Sequence, residues 1–143
     1  MSETARGAIK YKDRYKQLIS YEGLERHRHI TPTDIDGVID YAGNAFFVME
    51  CKHEDKFLNE GLDNGQKMAI ENMINGWIES GKLAMAIVFV HNKMTDEIII
   101  AKDAIVVEYY FNAKWQTPKD IKQTVYDAVV WFENYCIKHN IYI

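Results

Sequence analysis

Cysteine is scarce: the chain has two, Cys51 and Cys136, and neither sits at a metal-ligand spacing. A disulfide framework and a zinc motif are both excluded on that ground. Each cysteine falls in an apolar stretch and reads as a buried thiol of a reduced compartment. Proline and glycine are also few, two and eight in 143 residues. Collagen-like, linker-like and low-complexity classes therefore drop out, and no internal repeat is visible. No apolar run reaches the roughly 20 residues of a membrane helix. Residues Met1 to Lys16 are polar and charged and lack the apolar core of a signal peptide. The expectation is a cytoplasmic protein with no membrane partner.

What is present is ordinary globular material, 48% hydrophobic and 27% charged. A chain of 143 residues suits one domain, here 1–143, and can bury a core without covalent staples. The net charge of −4 argues against a protein that coats nucleic acid, yet it is unevenly spread. Up to His29 there are seven Lys/Arg against four Asp/Glu; from Ile30 onward there are ten against seventeen. A basic N-terminal segment could touch phosphates while an acidic remainder holds a cation. A solvated face of an amphipathic helix would give the same imbalance.

Hydrophobic periodicity gives the element order α-β-β-α-β-β-α. Tyr11, Tyr15, Leu18 and Ile19 make one stripe of a helix from Lys10 to Tyr21. Strands at Asp36 to Tyr41 and Ala45 to Lys52 flank a tight turn, Ala42-Gly43-Asn44. The second strand is apolar on both faces until its last residues, as a covered central strand is. After a polar loop, His53 to Gly65, a helix is predicted from Gln66 to Ser80 with Ile70, Met73, Ile74, Trp77 and Ile78 inward. Leu83 to Val90 is a further covered strand, and Glu97 to Ala101 and Ala104 to Phe111 are two more. Thr117-Pro118-Lys119-Asp120 has the form of a capped start for a last helix, with Ile121, Val125, Ala128, Val129, Phe132 and Cys136 as its core stripe. Hairpin, crossover helix and covered strand together imply an α/β (α+β) fold, a mixed sheet with helices on both faces.

The covered strand ends in Glu50-Cys51-Lys52. Alternation puts Glu50 and Lys52 on one face and Cys51 on the other. Burying a carboxylate and an ammonium there is costly unless each has a partner, a metal or a substrate. Asp36 opens the antiparallel neighbour, so the hairpin brings it beside Glu50. Two carboxylates at one sheet end suit a hard divalent cation, Mg²⁺ or Mn²⁺, with the Cys51 carbonyl as a further oxygen ligand. Such a cation activates water toward a phosphodiester, and Lys52 could orient that water or offset charge on the phosphoryl oxygens.

Asp36, thirteen intervening residues, and then Glu50-Cys51-Lys52 resemble the PD-(D/E)XK nuclease superfamily. With Gly65-Gln66 opening the next helix, the resemblance extends to virus-type replication-repair nucleases, and the same segment is similar to archaeal-type Holliday junction resolvases. It covers Thr33 to His91. The resemblance implies a restriction-endonuclease-like sheet, Asp36 and Glu50 as metal ligands, Lys52 as catalytic lysine and Gln66 as a helper at the phosphate or the lysine. It implies a magnesium-dependent endonuclease or other DNA hydrolase, in a phage or mobile-element setting of replication, repair or recombination. The oligomeric state stays open; a homodimer would suit cutting two strands. The family's proline before the aspartate is replaced by Ile35, and Asp34 and Asp40 compete with Asp36 for the ligand position. Many members carry a glutamate on the first helix; Glu22 and Glu25 are the nearest here. The alternative is a catalytically inactive nuclease-fold protein that binds a host or phage factor. His27, His29 and His53 have no metal-site spacing, and Trp77, Trp115 and Trp131 read as core, with Trp115 the one to watch for exposure.

Overall fold

A computed structural model of the chain describes residues 18–25 and 27–143, with His29 by its backbone alone. The chain divides into two units, Met1–Pro32 and Thr33–Ile143. In the first, the described part is exposed. It turns at Glu22-Gly23, where Gly23 takes φ 84°, and forms a short 3-10 turn over His27–His29. Of the helix expected from Lys10 to Tyr21, residues up to 17 lie outside the described ones, and 18–21 are irregular.

The second unit is a mixed five-stranded sheet with three helices. Strand β1 (Gly37–Tyr41) runs antiparallel to β2 (Ala45–His53), and β2 runs parallel to β3 (Leu83–His91). Strands β4 (Ile105–Phe111) and β5 (Lys114–Gln116) add on antiparallel, so the spatial order follows the sequence. Two helices precede β3, α1 (Glu54–Glu60) and α2 (Asn64–Glu79), and α3 (Val125–Lys138) follows β5. Ala42 and Gly43 both take positive φ in the β1–β2 turn, which is closed by the Asn44 N–H on the Tyr41 carbonyl at 2.9 Å. The return from β2 to a parallel β3 needs a crossover, and α2 supplies it.

Alternation along the strands sorts two cores. Phe47, Met85, Ile87, Phe89 and Val106 pack with Val125, Ala128, Phe132 and Cys136 of α3. Val48, Ala84, Ala86, Val88 and Tyr110 pack on the opposite face with Ile70 and Ile74 of α2. Among the described residues no helix is long and apolar enough to cross a membrane.

Several sequence expectations change. The polar segment after His53 contains α1, which has no buried residue and hence no stripe to read. No strand forms at Glu97 to Ala101: β4 already takes the free edge of β3, and Ile98 and Ile100 stay exposed. The last helix starts at Thr124, not Thr117. Its capping box is Thr124 with Asp127, each side chain bonding the other's backbone N–H at 3.1 Å. The stretch before it turns at 119–122 and is then bridged to the start of β4, where the Gln123 carbonyl accepts from Val106 N–H and the Ala104 carbonyl from Val125 N–H. Ile121 consequently lies 80% exposed rather than in the core stripe. On α2, Ile78 is likewise exposed while Ile70 and Ile74 carry the burial.

Candidate active site

Glu50 lies on the interior strand β2, between β1 and β3 in the sheet order and one residue past the last β1 pairing, and is only 3% exposed. It is the one buried charged residue among the described residues. Sheet alternation places it on the α2 face with Val48 and Lys52, beyond the apolar core, where the strand runs out toward solvent. Its Oε1 accepts from the Gln66 amide Nε2 at 3.1 Å and lies 3.7 Å from Lys52 Nζ. Gln66 stands in the first turn of α2, whose N-cap is Asp63, bonded through its side chain to Gly65 N–H at 2.8 Å. The cap thus fixes the turn that carries Gln66 over the end of β2.

Asp36 precedes β1 by one residue and reaches across to β2, where its Oδ2 accepts from the Cys51 backbone N–H at 2.7 Å. A residue facing a sheet neighbour directs its N–H and C=O to the same side. The Cys51 carbonyl therefore opens toward the edge on which Asp36 lies, beyond the last β1 pairing of Gly37 with Met49. The thiol of Cys51 points to the other face, and burial, with Asp36 and Glu50 nearby, pushes it up to about 11. It is inert as a thiolate; the backbone of Cys51, not its sulfur, belongs to this cluster.

The two carboxyl groups interact strongly. Burial, then the negative charge of Asp36, raises Glu50 to about 7, against a lowering by Lys52. A carboxyl raised that far by burial, with a second carboxyl beside it, gains by receiving a cation. Among the described residues no three His, Cys, Asp or Glu side chains converge on one point. The donor set is two carboxylates and one backbone carbonyl. That set fits Mg²⁺, which keeps several waters and takes one or two carboxylates rather than a full protein cage.

The competing acids have other roles. Asp40 Oδ1 accepts from Gly43 N–H at 2.7 Å and so belongs to the hairpin turn, and Asp34 is exposed ahead of β1. Glu22 and Glu25 lie in a turn and irregular chain rather than on a helix. His53 Nδ1 accepts from Asp55 N–H at 3.2 Å and caps α1. One residue is invisible in the sequence: His91, the register partner of His53 on β3, whose ring meets that of His53 edge-on at 5.1 Å. Burial and His53 lower its pKa. Only the parallel register, which no local pattern encodes, brings the pair together. Lys67, next to Gln66, bonds Glu108 on β4 at 3.1 Å and lies over the Trp115 ring, whose Nε1 donates to Glu71 at 2.8 Å. Trp115 is accordingly half-buried and anchored.

No protein-family model, curated protein or solved structure matches the chain.

Proposed function

We propose that the protein is a Mg²⁺- or Mn²⁺-dependent nuclease that hydrolyses phosphodiester bonds of DNA, with a PD-(D/E)XK-type site on a restriction-endonuclease-like sheet. The observation that carries this reading is Glu50, a carboxylate buried at the end of a central strand and surrounded by Asp36, Gln66 and Lys52. A structural Glu50–Lys52 ion pair accounts for Lys52 but not for a second carboxyl, Asp36, near enough to raise Glu50 further. The antiparallel hairpin, the crossover through α2 and the parallel return along β3 support the fold reading.

Asp36, Glu50 and the Cys51 carbonyl would hold the cation. When bound, the cation supplies a water of lowered pKa and positive charge at the phosphate. Gln66 holds the Glu50 carboxylate in one rotamer through its amide. Lys52 sits on the same face, half-buried, with its ammonium 3.7 Å from Glu50 Oε1, where it would also meet a phosphoryl oxygen. Conversion of supercoiled plasmid in Mn²⁺ tests the reading. The wild type should nick or linearise it and Glu50→Gln should not. Equal products from both proteins would remove Glu50 from the chemistry.

A further inference from the structure

On the sheet face opposite Glu50, a cavity of about 600 Å³ opens between the strands and the N-terminal half of α3. That volume lies within the roughly 300–1,000 Å³ typical of small-molecule sites. Its floor is apolar, made by Met85, Ile87, Val106 and Phe111, and Trp131 forms a wall.

Trp131 heads a ladder on α3. It stacks on Tyr135 at 5.5 Å and 18°, and Tyr135 stacks on His139 at 4.0 Å and 30°. Spacing by four residues on a helix puts these rings in one column. Phe111 meets both Trp131 and Tyr135 edge-on at 5.1 Å. The three centroids form a nearly equilateral triangle, so Phe111 and Tyr135 both pack against Trp131. The opposite face of the indole is left uncovered by these rings, and Trp131 is 45% exposed. The cavity lies on that side: Gln123, Asp127 and Ala128, all N-terminal to Trp131, line it, and Tyr135 does not.

The rim has a matching chemistry. Lys114 and Lys119 are exposed on it, and among the described residues neither is ion-paired. The rim aspartates are tied to backbone by one oxygen each, Asp120 by the Lys122 N–H and Asp127 by the Thr124 N–H, and keep their charge. The side-chain amides of Asn112 and Gln123 also line the cavity, and among the described residues neither makes a side-chain hydrogen bond. A planar wall, spare amides that both donate and accept, and two spare cations describe the needs of one nucleotide.

We propose that this cavity binds a nucleotide, with its base stacked on the open face of Trp131 and its phosphate at Lys114 and Lys119. The site goes beyond the nuclease reading and does not depend on it, because the Asp36–Glu50–Lys52 cluster lies on the other face of the sheet. Tryptophan fluorescence of the wild type in EDTA, where metal-dependent cutting is suppressed, tests it with dTMP, dAMP and a short oligo-dT as probes, and titration calorimetry with the same probes follows the Trp131 variants, which lack the reporting indole. Saturable quenching is expected in the wild type and saturable heat of binding in Trp131→Tyr. Trp131→Leu should weaken binding by about tenfold or more, and Lys114→Gln/Lys119→Gln should weaken it and flatten its salt dependence. Saturation by the mononucleotides identifies a free nucleotide; saturation by the oligonucleotide alone identifies a nucleotide within a strand, and either supports the site. Absence of saturable quenching with every probe would overturn it, as would unchanged binding in both variants. Plasmid cleavage by Trp131→Leu is expected to persist, so loss of this site and loss of the nuclease reading give different results.

Discussion

In the proposed reading most of the chemistry depends on Glu50, and its protonation gives a direct handle. Its pKa in the folded protein is about 7, above the ordinary value of 4.5. A carboxyl raised on folding stabilises the fold below its unfolded pKa, and that contribution is lost as pH rises through the folded pKa. Without metal, the melting temperature should therefore carry a component that falls between about pH 4.5 and 7. His91, held low by burial and His53, acts in the opposite sense near its ordinary 6.5. The difference between wild type and Glu50→Gln isolates the Glu50 component: the variant should gain on the wild type as pH rises and be the more stable of the two at pH 8. Parallel profiles would mean that Glu50 is not strained by burial and by Asp36. Glu-x-Lys at the end of an apolar strand was legible as an anomaly of burial, and Asp36 as its neighbour across a hairpin. The Gln66–Glu50 bond was not, because it depends on where the first turn of α2 sits over β2.

At the scale of elements, the hairpin and the two covered strands could be read from alternation and turn residues, because burial on both faces leaves an unbroken apolar run. The start of α3 could not. Thr117-Pro118-Lys119-Asp120 has every local feature of a capped helix start, yet the residues before Thr124 bond to the beginning of β4 instead. Tertiary hydrogen bonding overrode a local signal. Substitution separates the two: Thr124→Ala should cost about 1 kcal/mol of stability, whereas Thr117→Ala should stay within about 0.5 kcal/mol. Urea titrations of both variants measure this, and a larger loss at Thr117 would place the functional cap there. Helix α1 shows the complementary limit. It is short and exposed, its cap is a histidine, and no stripe announces it.

Over the whole molecule, one five-stranded sheet presents two different faces: the carboxylate cluster with Gln66 of α2 on one, and the aromatic ladder and cavity with α3 on the other. The net charge of −4 means that approach to a polyanion gains nothing from the overall field, so under the proposed function a cation at Asp36 and Glu50 would supply the local attraction. Mg²⁺ or Mn²⁺ should raise the melting temperature of the wild type, by an amount that grows with metal concentration. Asp36→Asn should lose most of that rise and Glu50→Ala all of it. An equal rise in all three proteins would put the cation elsewhere.

Lys52 offers the sharpest separation of chemistry from folding and metal binding, since it is half-buried at a strand end and holds no part of the core. Cleavage of plasmid, linear duplex, single-stranded and four-way-junction DNA in Mg²⁺ or Mn²⁺ should be compared for wild type and Lys52→Ala. The expected result is cutting of at least one substrate by the wild type and a loss of roughly 100-fold or more in the variant, with its metal-dependent stabilisation intact. Undiminished cutting by Lys52→Ala, or no cutting of any substrate by a wild type that binds metal, would contradict the assignment of a catalytic site to Asp36, Glu50 and Lys52.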